Sequence, residues 1–192
     1  MHESIFQLRA RAPLHFINRA WDARAAARYL WEGNKTNQRL FAAFLREGSL
    51  ALELAIKGVI AQRLVNGTIE LKDDRPPQTH DLPQLWHTAK LPKLKSEDQG
   101  RLIFAKHVLY WGGRYPVPAK ESDYAREERE EKPFRKIVGK IGRYNIEQRL
   151  NLGWDDFDRI FRIAADTQVS IAPYTDARGF LIFPEGHEKY RG

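Results

Sequence analysis

Cysteine is absent from the 192 residues. Without a thiol there is no disulfide framework, no Cys-ligated zinc or iron–sulfur centre and no cysteine nucleophile. The absence suits a reducing compartment, so a cytoplasmic setting is expected. No apolar run approaches the roughly 18 residues of a membrane span, and no membrane association is expected. The opening stretch MHESIFQLRARAPLHF also lacks the apolar segment of about 7–15 residues that a secretion signal carries. Chemical signatures are missing as well. There is no GxxxxGK[ST], no strand–GxGxxG–helix and no GxSxG, which excludes the recognisable phosphate-cradling loops and nucleophile elbows. HExxH is absent, and none of His2, His15, His80, His87, His107 and His187 stands four residues from another. His80 and His87 have only Asp81 close by in sequence, too few donors for a metal centre. No metal and no cofactor are expected.

What is present suits a packed core. The chain is 42% hydrophobic and 30% charged, with 5 Trp, 10 Phe and 7 Tyr, so wholesale disorder is excluded and a single domain is expected. Lys+Arg number 32 against 25 Asp+Glu, a net charge of +7. That balance favours polyanionic partners, because phosphate contacts release counterions. It is equally common in ordinary soluble proteins.

Helical periodicity dominates the rest. In RAWDARAAARYLW, residues 19–31, Ala and Arg prevail and β-branched residues are absent, which favours helix. Gly33 and Asn34 read as its stop, and Thr36 or Asn37 as a fresh cap. Residues 38–65 carry the strongest stripe, with Leu40, Phe41, Phe44 and Leu45 followed by Leu52, Ala55, Ile56, Val59 and Ile60. Glu53 precedes Lys57 by four, the favourable order for a helical ion pair. Gly48-Ser49 interrupts this stripe, so either one long helix or two collinear ones are expected, closed by Asn66-Gly67. After a loop at 68–78, Thr79 reads as the cap of a short helix through HDLPQLWHTAKL, with Pro83 in the first turn. Ser96 opens another helix that runs to Trp111 and breaks at Gly112-Gly113. Residues 154–168 read as helix with Phe157, Ile160, Phe161 and Ala164 on one face.

Two regions stand apart from this pattern. Residues 117–153 read as an inserted, partly helical excursion with an acidic block, ESDYAREEREE, and a basic one, KPFRKIVGKIGR. The blocks either neutralise one another as a charged hairpin or offer Arg135, Lys136, Lys140 and Arg143 as a basic stripe at about helical spacing. Residues 169–192 read as an irregular extension in which Phe180, Leu181, Ile182 and Phe183 make a short strand or cover the bundle. The expected fold class is all-α, an up-and-down bundle of about five helices forming one domain over residues 1–192.

For chemistry, His107, Trp111 and Arg114 fall at i, i+4 and i+7 with Tyr110 and Tyr115 beside them. A cation, an imidazole and aromatic rings on one face suit a nucleotide or RNA base. The same rings serve equally well as packing in a core or a dimer seam.

Three segments, taken in order, carry a resemblance. SLALELAIKGVIAQ (49–62), THDLPQLW (79–86) and YWGGRYP (110–116) together resemble a HEPN domain, a small helical family of prokaryotic toxin–antitoxin and phage-defence systems. The resemblance covers roughly residues 19–116 and 154–168. It implies a bundle of four to five helices, usually a symmetric homodimer whose groove holds the site, and in many members a metal-independent endoribonuclease. The family's catalytic signature is Arg, four to six residues, then His. Arg101 and His107, with five residues between them, match it and are the catalytic candidates. His80, Asp81, Tyr110, Trp111, Arg114 and Tyr115 would border the RNA or nucleotide groove. A His near its working pKa can move the proton of a ribose 2′-OH or of the leaving oxygen, and an Arg can hold the phosphate bidentately. Leu102 stands where the family commonly has a polar residue, and six helical steps set Arg101 and His107 about 240° apart. Shared chemistry between them therefore calls for a seam across a two-fold axis. The alternative is a non-catalytic HEPN-like scaffold or partner-binding module, engaging a cognate antitoxin or defence protein, with the motif residues structural.

Overall fold

The computed structural model describes residues 11–112, 120–175, 178, 181, 182 and 184. Its α-helices are α1 (Pro13–Asn34), α2 (Leu40–Val65), α3 (Leu82–Thr88), α4 (Ser96–His107), α5 (Glu121–Glu131) and α6 (Trp154–Ile171). The described residues thus form an all-α bundle, as the periodicity predicts, with α5 lying inside the charged excursion.

The bundle is organised around α2. That helix buries Phe44, Gly48, Leu52, Ile56 and Ile60 on one side and Gly58, Ala61 and Leu64 on the other, residues spread over most of its circumference, which marks a helix enclosed by neighbours. α1 begins at Pro13, earlier than Arg19, because proline is tolerated in a first turn where its missing N–H has no partner to lose. It buries Ile17, Ala20, Ala23 and Ala27, a stripe whose small alanines let the two backbones approach. Contacts pair Trp31 with Phe44 at one end and Ile17 with Gly58 at the other, so α1 and α2 are antiparallel. α6 runs parallel to α2, since Phe157 lies against Gly48 and Phe44 while Ile171 meets Asn66. Gly48 does not break α2. A methyl there would meet Phe157 at 3.4 Å, close to ordinary van der Waals contact, and α2 is one continuous helix.

Polar groups at the far end are matched. Asn66 Nδ2 donates to the Ile171 carbonyl at 2.8 Å, and Gln62 Nε2 donates to Asn66 Oδ1 at 2.9 Å. Asn66-Gly67 closes α2 as expected. Gly67 N–H donates to the Leu64 carbonyl and Thr68 N–H to that of Arg63, with Gly67 at φ 71°, the Schellman arrangement. α4 is tied to α6 by Asp98, which is 3% exposed and accepts from Arg101 Nη1 at 3.0 Å and from both terminal nitrogens of Arg159. Burial works against that carboxylate, but Arg159 and Arg101 outweigh it and hold its pKa below the usual aspartate range.

Several boundaries differ from expectation. Asp81, not Thr79, caps α3, its Oδ1 accepting from Gln84 N–H at 3.1 Å. Thr79 instead accepts from Asp81 N–H. α4 ends at His107, and a π-turn follows over Val108–Gly112. The basic block is not helical. Strands β1 (Lys136–Ile141) and β2 (Tyr144–Gln148) pair antiparallel about Gly142-Arg143, with Gly142 at φ 59° as a two-residue hairpin turn requires. The stripe of Arg135, Lys136, Lys140 and Arg143 is therefore not a helix face. Ile137, Val138 and Ile141 favour strand, and the ribbon is exposed on both sides, so no alternation betrays it. β3 (Tyr174–Thr175) and β4 (Leu181–Ile182) form a second short ribbon.

The excursion seats on the bundle at Gly100, where a Cβ would come within 2.6 Å of Leu150 and 2.7 Å of Phe134. Gly100→Ala is expected to destabilise the protein by about 1–3 kcal/mol through overpacking, read as a lowered midpoint in urea, with helicity retained in dilute buffer.

Candidate functional site

The most heavily polar region lies where α2, the start of α3 and the end of α4 meet α5. Glu53 faces inward from the middle of α2, with its side chain 6% exposed. Its Oε1 accepts from Lys57 Nζ at 2.6 Å, one helical turn on, and its Oε2 lies 2.7 Å from His80 Nδ1. Two partners on two oxygens satisfy a carboxylate that burial would otherwise penalise. His80 itself is about half exposed. Glu53 therefore fixes the ring by one nitrogen and leaves Nε2 toward solvent, with no hydrogen-bond partner among the described residues. The edge of His80 meets Tyr110 with centroids 5.6 Å apart, and the Tyr110 hydroxyl reaches Thr79 Oγ1 at 3.4 Å.

A chain of charge continues from the next residue. Asp81 pairs with Lys106 at 3.0 Å, Lys106 with Glu130 at 2.9 Å, and Glu130 with His107 Nε2 at 2.9 Å. Burial works against the Lys106 ammonium, but Glu130 and Asp81 more than compensate and raise its pKa. His107 is 6% exposed. Burial pushes its pKa down to about 4 despite Glu130, so at neutral pH the ring is uncharged and donates its Nε2–H to Glu130. Its Nδ1 has no hydrogen-bond partner and faces Glu127 at 3.8 Å and Glu131 at 4.0 Å. Burial, then the neighbouring Glu127, pushes Glu131 up to about 7, and burial also raises Glu127. Arg149 contacts Glu127 and Glu131 through their outer oxygens at 3.6 and 3.4 Å, and also binds Glu128. Among the described residues, His107, Glu127 and Glu131 are the one group of three donors placed close enough to share a metal ion.

The structure brings together His80, Asp81, Tyr110 and, through Lys106, His107. It does not bring Arg101 to them within one chain. Arg101 turns to the opposite side of α4, where Asp98 and Asp156 take its guanidinium at 3.0 and 2.8 Å, while His107 faces α5. Tyr110 and Trp111 lie in the π-turn, which departs from α-helical register. Tyr110 faces His80, and Trp111 lies beneath Arg126, whose guanidinium carbon is 5.7 Å from the ring centre. Arg114 and Tyr115 lie outside the described residues. Lys106, Glu127, Glu130, Glu131 and Arg149 are additions to the expected set. The one sequence sign of them is the i, i+4 placement of Glu127 and Glu131, which puts both on one side of a helix.

No family model matches the chain, and neither does any curated protein or solved structure.

Two of the shifted groups, Glu131 and His107, make stability depend on pH in opposite senses. Glu131, with its folded pKa raised, contributes stability that is full below about 4.5 and is lost as pH rises through about 7. His107, with its folded pKa lowered, contributes stability that is full above 6.5 and is lost as pH falls through about 4. Glu131→Gln removes the first effect alone. Urea unfolding is expected to show the variant gaining on the native protein between pH 5 and 8, by on the order of 2 kcal/mol, and little difference near pH 4.

Proposed function

We propose that the chain is a HEPN-like module that binds RNA or a nucleotide at the His80 seam, working in the cytoplasm as a homodimer. One observation carries the reading. His80 stands half exposed with one nitrogen locked by buried Glu53, its ring nearly perpendicular to that of Tyr110 at 5.6 Å, and its other nitrogen without a hydrogen-bond partner among the described residues. An imidazole held in this way presents a single, oriented nitrogen to a phosphate or a 2′-OH. Tyr110 offers a ring for base stacking, and the net charge of +7 favours a polyanion at long range. Within this reading a metal-independent endoribonuclease uses the ribose 2′-OH as nucleophile, so DNA, which lacks it, would be spared. His80 is the proton carrier that the geometry of one chain supports. Arg101 and His107 enter such a mechanism only by release from their ion pairs, or across a dimer axis.

A second reading has its own support. Arg101 is held by Asp98 and Asp156, and His107 by Glu130, so both signature residues serve packing within the chain. That favours a non-catalytic HEPN-like scaffold that binds a cognate antitoxin or defence partner.

Mixed-sequence RNA in excess chelator separates the two. Fluorescence anisotropy is expected to report binding that weakens with salt and falls about tenfold in His80→Gln, the loss of one oriented contact. If cleavage occurs, it disappears in the same variant. Absence of RNA and nucleotide binding at low salt would overturn the proposal, and normal folding of Arg101→Ala and His107→Ala without any cleavage would leave the scaffold.

A further inference from the structure

We infer that His107, Glu127 and Glu131 form a binding site for one divalent transition-metal ion of the zinc class, with Glu130 and Arg149 as its outer partners. The inference is independent of the RNA reading, because none of the three donors is the His80 nitrogen on which that reading depends.

A group of carboxylates alone would not carry this. Two buried atoms do. His107 and Glu131 are each 6% exposed, and His107 Nδ1 and Glu131 Oε1 both lack a hydrogen-bond partner. They face one another at 4.0 Å, and Glu127 Oε2 lies 3.8 Å from the same ring nitrogen. Three lone-pair donors pointed at one volume repel unless something positive lies between them. The donor atoms fall within 4.8 Å of one another. Zinc bonds of about 2.0–2.2 Å in a tetrahedron separate ligand atoms by roughly 3.4 Å, so rotation of the two Glu side chains by on the order of 1 Å closes the set.

The surroundings match what a ligating histidine needs. His107 donates its other nitrogen to Glu130 at 2.9 Å, the carboxylate–histidine arrangement that fixes the tautomer and directs the lone pair of Nδ1 inward. Arg149 occupies the outer oxygens, Glu127 Oε1 and Glu131 Oε2. The inner oxygens are left to the ion. Lys106 neutralises Glu130 from the far side, so the ion answers the charge of Glu127 and Glu131 rather than that of the whole acidic helix. One imidazole with two carboxylates suits zinc, cobalt or manganese better than magnesium, which favours all-oxygen octahedra and keeps its waters. Two ligands on α5 and one at the last residue of α4 would cross-link the excursion to the bundle beside the π-turn.

The test uses the full chain, stripped with chelator, reloaded with Zn²⁺ or Co²⁺ and desalted. Elemental analysis is expected to find one ion per chain, with a higher melting midpoint and visible cobalt d–d absorption. Glu127→Gln and Glu131→Gln should each lose the ion and the cobalt bands while circular dichroism shows them folded. Both keep shape and remove a buried charge. Glu130→Gln should retain the ion about tenfold more weakly, and His80→Gln should bind it normally. A folded native protein that retains neither metal, metal retained unchanged in both Gln variants at 127 and 131, or magnesium binding as tightly as zinc would each overturn the assignment.

Discussion

Glu53 places a carboxylate in the middle of the helix against which α1, α3, α4 and α6 pack. A charge there is tolerable only if both oxygens are answered, and the answers come from different parts of the chain. Lys57 answers from one turn along α2, and His80 from the segment that leads into α3. The second contact does more than neutralise. It fixes where the chain crosses α2, which places Asp81 at the cap of α3 and brings Lys106 within reach of it. From Lys106 the sequence of pairs passes to Glu130 and so to α5. One buried acid on the central helix is thus linked by matched polar groups to an element nearly eighty residues away, alongside the apolar contacts of Leu82, Leu85, Trp86, Leu102 and Ala105 that seat α3 and α4.

The excursion follows a different logic. Its acidic helix is held by cations brought from outside it: Lys106 from α4, Arg135 from just before β1, and Arg149 from just after β2. The expected mutual neutralisation of acidic and basic blocks is realised in part, through Arg135 with Glu128. The hairpin beyond contributes little burial. Its attachment rests on Phe134 and Leu150 against Gly100 and on the ion pairs, which makes the seat of the excursion more polar than the α1–α2–α6 core.

The parts legible in the sequence are those whose apolar residues repeat at the period of their own element. The face of Phe157, Ile160, Phe161 and Ala164 is buried as read, α2 ends at Asn66-Gly67, and Glu53 pairs with Lys57. The charged hairpin read from the two blocks pairs the wrong segments, and the strands β1 and β2 are not legible, because a ribbon exposed on both faces has no reason to alternate. Gly48-Ser49 leaves one long helix or two collinear ones open, since a glycine packed against a ring from residue 157 looks the same in sequence as one that ends a helix. Pairings across long separations were hidden for a related reason. Asp98 with Arg159, and His107 with the glutamates of α5, join residues whose types are ordinary on any solvated face, and only the fold brings them together. Arg101 shows the converse. Its spacing to His107 drew attention, whereas its partners are Asp98 and Asp156.

The parallel packing of α6 on α2 bears on how the molecule is made. α1 and α2 are neighbours in sequence and can pair as soon as both have left the ribosome. The contacts of Asn66 with Ile171 and of Gln62 with Gln168 span 105 and 106 residues. Until α6 is synthesised, the side of α2 around Gly48 that receives Phe157 remains wet, so a nascent chain halted within the excursion is a sticky fragment of α1 to α4 and a natural client for chaperones.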